Sequence, residues 1–238
     1  MKWIFIARIR QWYVFFTVGI FLTIAMISGL LQPIFGSLQQ PGKVNPIFHG
    51  NLAEPKVALA CNVFWGEEFL PEMLTTLANN NIKITFFIGG SWAKRYPDLV
   101  AAIAKQGHEL GNHTYSHPHP NILSKDKNQE EIVRTEDLIK QISGVKTTLY
   151  APPYGEYNDV VLNAADELGY QTIMWSIDTI DWKRPPAEII KNRVLKKLHN
   201  GAIILIHPTE STMQALPDLI TQIQTSGYKI STITDILQ

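Results

Sequence analysis

The chain has 238 residues, with 21 Lys and Arg against 21 Asp and Glu, and 45% of its residues are hydrophobic. That length suits one domain of moderate size plus an appendage, and the neutral balance argues against a basic nucleic-acid-binding face, so no nucleic-acid partner is expected. A single cysteine, Cys61, excludes an internal disulfide framework and any multi-cysteine zinc cluster, and its place in an apolar run assigns it to a buried strand.

The first element is an uncharged apolar run, "WYVFFTVGIFLTIAMISGLL", from Trp12 to Leu31. About 20 such residues cross a hydrocarbon core of roughly 30 Å as a helix. Lys2, Arg8 and Arg10 precede it, and the next basic residue is Lys43. This asymmetry predicts a single-pass cell-membrane protein with its N-terminus cytoplasmic and the remainder outside, and Trp12 and Tyr13 sit where an interfacial aromatic belt belongs. A cleaved signal peptide is the competing reading. The run exceeds the roughly 7–15 apolar residues of a signal sequence and no A-x-A site follows, which favours an uncleaved anchor. From Gln32 to Pro55 the composition turns to Pro, Gly, Asn and Gln, the signature of a linker, in which His49 counts as a solvated residue. The expected organisation is an anchor over 1–31, a linker over 32–55 and a folded domain over 56–238.

Beyond Lys56, short apolar runs alternate with amphipathic stretches. The strand candidates are "KVALACNV", "KITFFIG", "HELGN", "TTLYA", "QTIMWSID", "AIILIHP" and "KISTIT". The helical patterns between them end repeatedly on glycine, at Gly107, Gly144, Gly169, Gly201 and Gly227, which is a helix C-cap signal. Strand-then-helix repetition implies parallel strands with right-handed crossovers. About seven units fit a barrel-like sheet better than an open one. Chemistry is then expected on loops at the C-terminal ends of the strands.

Unusual polar residues fall at those ends. Asn62 closes the first strand, His113 and His117 follow the third, and "APPYGEYN" follows the fourth. "DTIDW" follows the fifth, and His207 follows the sixth. Two imidazoles four residues apart can ligate a divalent cation if the segment makes a helical turn, but spacing alone fits surface histidines as well. His207 reads either as a core histidine or as a general acid with Asp181 as its orienting carboxylate and Trp182 screening the pair from water.

These motifs, in this order, resemble the polysaccharide deacetylase family, also called the NodB homology domain or carbohydrate esterase family four. The resemblance covers about Lys56 to Gln238 and rests on "KITFFIGGSWAKRYPDLVAAIAKQGHELGNHTYSHP", "APPYGEYN", "WSIDTIDW" and "GAIILIHP". The "NVFWGEEFLPEML" segment is similar to the membrane-anchored, sporulation-associated branch, whose first motif carries a Trp-Gly pair. The resemblance implies a distorted β/α barrel that hydrolyses N-acetyl groups of amino sugars in a cell-wall or other N-acetylated polysaccharide. It implies a divalent metal, commonly zinc, held by His113, His117 and an aspartate. His207 is implied as the acid that protonates the leaving amine, Asp181 as its orienter, and Tyr154 as a residue near the oxyanion.

Three positions depart from the family pattern. The paired aspartates that end the first motif, a base and a metal ligand, are replaced by Asn62 and Val63, and the arginine that opens the "PPYG" motif is Ala151. An amide takes no proton from water near neutral pH, and valine ligates nothing. The losses are mutually consistent, because removing one member of a buried Arg–carboxylate pair leaves an unpaired charge. Glu67, with Glu68, is the candidate replacement ligand; the competing role for both is the first turn of the following helix. Asp178 is a spare carboxylate or the cap of a turn. Two functions therefore stand. One is a metal-dependent deacetylase. The other is a catalytically impaired relative serving as a membrane-tethered glycan-binding or structural domain. Trp65, Tyr115, Tyr154 and Trp182 can stack on sugar rings in either case. A third reading, a soluble barrel with another cofactor, lacks a glycine-rich phosphate loop.

Overall fold

The computed structural model describes residues 43–238. The expected membrane span lies outside the described residues, and no helix among those described is long and apolar enough to cross a membrane. Val44–Gln238 forms one compact unit.

The strands are β1 (Lys56–Val63), β2 (Thr85–Ile88), β3 (Glu109–Asn112), β4 (Leu149–Tyr150), β5 (Gln171–Thr172), β6 (Ile177–Asp178), β7 (Ile203–Ile206) and β8 (Lys229–Ser231). All pair in parallel, and the sheet runs β5-β4-β3-β2-β1-β7-β6 with β8 on β1. This seven-strand path is the α/β barrel-like sheet the strand–helix rhythm predicts. Ala58 pairs with both Ile203 of β7 and Ser231 of β8, so β8 lies on the β2 side of β1, below the point where β2 begins to pair at Ala60.

Alternation along β1 separates two cores. Val57, Leu59, Cys61 and Val63 face the helical shell, packing with Met73, Ile204, Ile206 and Leu216 among others. Ala58 and Ala60 face the barrel interior with Phe87, Leu149, Ile173 and Ile203. Small residues suit that inner face, where strands converge. Gly111 shows how tight it is, since a Cβ there would overlap the Phe87 ring. The shell helices are α1 (Leu70–Asn79), α2 (Gly90–Arg95), α3 (Pro97–Lys105), α4 (Lys125–Ser143), α5 (Asp159–Asp166), α6 (Ala187–Leu195), α7 (Glu210–Thr225) and α8 (Ile233–Leu237). Gly144, the C-cap of α4, has φ 73°, a left-handed conformation that glycine adopts without a Cβ penalty.

Two features differ from the sequence expectation. "QTIMWSID" is not one strand: β5 and β6 lie at opposite edges of the sheet, and 173–176 cross the open seam between them. Along this crossing Ile173 N–H donates to Tyr150, Met174 N–H to Ile47 and Ser176 N–H to Ile203. The chain thus takes three different partners within four residues. The second difference concerns the expected linker, whose latter part belongs to the fold. Ile47 bridges Ile173 in parallel, His49 bridges Ala202 in antiparallel fashion, and Asn51 N–H donates to the Ile236 carbonyl 2.7 Å away. This segment closes the seam that the strands leave open.

Candidate active-site cleft at the barrel mouth

A cavity of about 510 Å³ opens at the C-terminal ends of the strands. Its polar lining is Asn62, His113, His117, Asp178 and His207, and its aromatic lining is Phe64, Trp65, Tyr154, Trp175 and Trp182. The sequence-predicted residues therefore gather at one mouth, apart from the few described below.

His113 follows β3 directly and points inward, continuing the inner face of Gly111. Its Nδ1 lies 2.7 Å from the Ala151 carbonyl oxygen. A carbonyl only accepts, so the hydrogen sits on Nδ1 and Nε2 keeps its lone pair. Burial, with His117 adding repulsion, pushes this ring down to about 3, so it is neutral at physiological pH. The His117 ring, centred 4.9 Å from that of His113, is shifted down by burial as well. No helical turn brings them together: Thr114 (φ 60°) and His117 (φ 57°) are left-handed, and the loop is pinned from below. Asn112 Oδ1 accepts the Thr114 N–H, and Glu131 of α4 accepts the N–H groups of Tyr115 and Ser116.

On the opposite wall, Asp181 is wholly buried. Its Oδ1 lies 2.7 Å from His207 Nδ1, and its Oδ2 accepts from the His207 N–H and the Thr212 hydroxyl, each at 2.6 Å. The carboxylate fixes hydrogen on His207 Nδ1 and leaves Nε2 as the ring's other face to the cavity. Trp65 stacks on that ring at 5.7 Å and 8°. The stack is held by a close approach of backbones, since Gly66 (φ 83°) lies against Pro208 and a Cβ there would overlap the Pro208 carbonyl. Tyr154, left-handed at φ 59°, packs its ring against His117 at 4.7 Å and stacks on His119 at 4.1 Å, while His119 Nδ1 lies 3.0 Å from Glu156.

Several expected roles do not fit this geometry. Glu67 does not reach the histidines; its carboxylate accepts from Tyr96 at 2.6 Å and from Trp92 at 3.4 Å, and the Tyr96 bond lowers its pKa. Val63 is wholly buried in the core under the helical shell and, as a valine, supplies no ligand. Tyr115 is covered by the Arg134 guanidinium 3.8 Å from its ring centre and does not line the cleft. Asp178 lines the cavity while its Oδ1 accepts the Ile180 N–H, an Asx turn. Trp175, Phe64 and Thr212 were missed. Trp175 sits mid-way in an apparent strand, Phe64 is an apolar residue beside the more conspicuous Trp65-Gly66 pair, and Thr212 lies in no motif.

Among the described residues no group of three or more His, Cys, Asp or Glu is placed to hold a metal ion. Two neutral imidazoles with no carboxylate beside them do not fit the divalent cation expected here.

The sequence profile of the polysaccharide deacetylase family matches residues 49–173. The chain is a member of the polysaccharide deacetylase family. This family member is 43% identical over 192 residues to the uncharacterized protein YlxY of Bacillus subtilis, matching 81% of this chain but 60% of YlxY. It is 35% identical over 196 residues to a peptidoglycan-N-acetylglucosamine deacetylase of Bacillus cereus, with 80% of this chain and 71% of the relative covered. Its fold superimposes with a TM-score of 0.80, at 40% identity and over 82% and 69% of the two chains, on BA3943 of Bacillus anthracis, described as a CE4 family pseudoenzyme. The cleft of this family member pairs an Asp181–His207 contact with two histidines that have no third acidic, histidine or cysteine group placed with them among the described residues.

Proposed function

We propose that this deacetylase-family domain binds an N-acetylated cell-wall glycan, or its deacetylated product, without hydrolysing it at an appreciable rate. One observation carries the reading: Asn62 occupies the position implied for the base, with its Oδ1 buried and unpartnered, and no carboxylate stands beside His113 and His117. With neither a base nor a complete set of ligands, an attacking water is not activated. The rest of the cleft is a binding surface. Trp65, Tyr154 and Trp182 are 40%, 58% and 51% exposed at its rim, as rings that stack on sugars are. The intact Asp181–His207–Thr212 set favours residual hydrolysis as a second reading, because a leaving-group acid is still in place.

The charge pattern of the first residues supports display of the domain outside the cell on an uncleaved membrane anchor, and the Trp65-Gly66 pair supports the sporulation-associated branch. The test is acetate release from N-acetylglucosamine oligomers and peptidoglycan fragments, with and without added zinc, beside calorimetric binding of the same oligomers. Binding without acetate is expected. Zinc-stimulated acetate release that His207→Ala abolishes overturns the proposal in favour of the second reading.

A further inference from the structure

The cleft has an unusual balance of acceptors and donors. Asn62 is 7% exposed, lies on the inner face of β1 and lines the cavity with an Oδ1 that has no hydrogen-bond partner. A buried acceptor without a donor is unfavourable unless a ligand supplies one. His113 and His207 each commit the Nδ1 hydrogen to an oxygen, of Ala151 and Asp181, which leaves Nε2 of both rings as acceptors in the same cavity. Asp178 adds a carboxylate, and no Lys or Arg is among the lining residues. Aromatic rings complete the walls, and such faces attract cations.

From this arrangement we infer that the cleft recognises the ammonium group of a de-N-acetylated 2-amino sugar in preference to the N-acetyl form. The inference rests on the glycan-binding reading above. An ammonium carries three N–H donors and one positive charge, which match the acceptors and the carboxylate. An acetamide brings one donor, no charge, and a carbonyl oxygen that no lining Lys or Arg receives. The cleft thus suits the product of the family's reaction.

Three β-1,4-linked tetrasaccharides that differ only at C2, bearing amine, acetamide or hydroxyl, test this by calorimetric titration of the full-length chain. The amine tetramer is expected to bind about tenfold more tightly than either of the others. Asn62→Leu and Asp178→Asn are each expected to remove most of that preference; the second retains the acceptor for the Ile180 N–H, and circular dichroism of the same samples checks the fold. Equal affinity for amine and hydroxyl tetramers, or tighter binding of the acetamide one, overturns ammonium recognition and leaves glycan binding standing. Failure of all three to bind overturns both.

Discussion

At the scale of single residues, the buried ionisable groups set the sharpest expectations. Asp181 receives three hydrogen bonds and is wholly buried. Asp181→Asn turns one acceptor into a donor facing donors, and is expected to lower unfolding free energy by about 1–3 kcal/mol in urea titration. His108 tests pH dependence away from the cleft. Its Nδ1 accepts the Ile84 N–H at 3.2 Å, so its hydrogen is on Nε2, which is buried without a partner. Burial, and secondarily Lys83, pushes its pKa down to about 4 from 6.5. The unfolded chain therefore takes up this proton first as pH falls. Stability is complete above about pH 6.5 and is lost as pH drops toward 4. Urea midpoints across that range are expected to fall for the unaltered protein and to fall less for His108→Asn, whose Oδ1 can still accept from Ile84. The chemistry of most cleft residues was legible in the sequence because His, Asp and Trp at strand ends are rare. Glu67 misled because its partners, Trp92 of α2 and Tyr96 at the junction of α2 and α3, are distant in sequence, and nothing local announces them.

At the scale of elements, β1 was read to the residue because its alternation is strict and both faces are buried. "QTIMWSID" was misread for a physical reason: uniform β-propensity hides a break that is imposed by a distant partner, the backbone of Ile47. The loop after β1 makes a testable clasp with the loop after β7. Gly66→Ala adds a Cβ against the Pro208 carbonyl at a left-handed residue, and is expected to destabilise the domain by about 1–3 kcal/mol and to loosen Trp65 from His207. Thermal unfolding together with near-ultraviolet circular dichroism of the tryptophans reads both effects. An unchanged melting temperature would show that the two loops move independently.

At the scale of the whole molecule, the domain begins earlier than its strand pattern suggests. Ile47 hydrogen-bonds to Thr172 of β5, Gly50 to Gly201 in the turn before β7 and Asn51 to Ile236 of α8. A protein starting at Lys56 is expected to melt at least roughly 2–4 °C below one starting at Val44, the shift that about 1 kcal/mol produces in a domain of this size. Metal content belongs to this scale too. The purified protein is expected to carry well under one zinc per chain, and added zinc is expected to leave the melting temperature unchanged. Stoichiometric zinc in elemental analysis would show that the histidine pair recruits a third donor that the described geometry does not supply.

The indole of Trp65 lying flat on the His207 imidazole has an optical consequence. Indole emission depends on the group stacked against the ring, so the chain carries its own reporter at the cleft. A saccharide that parts the two rings changes brightness without any added label. Comparison with Trp65→Phe isolates that signal from the other tryptophans.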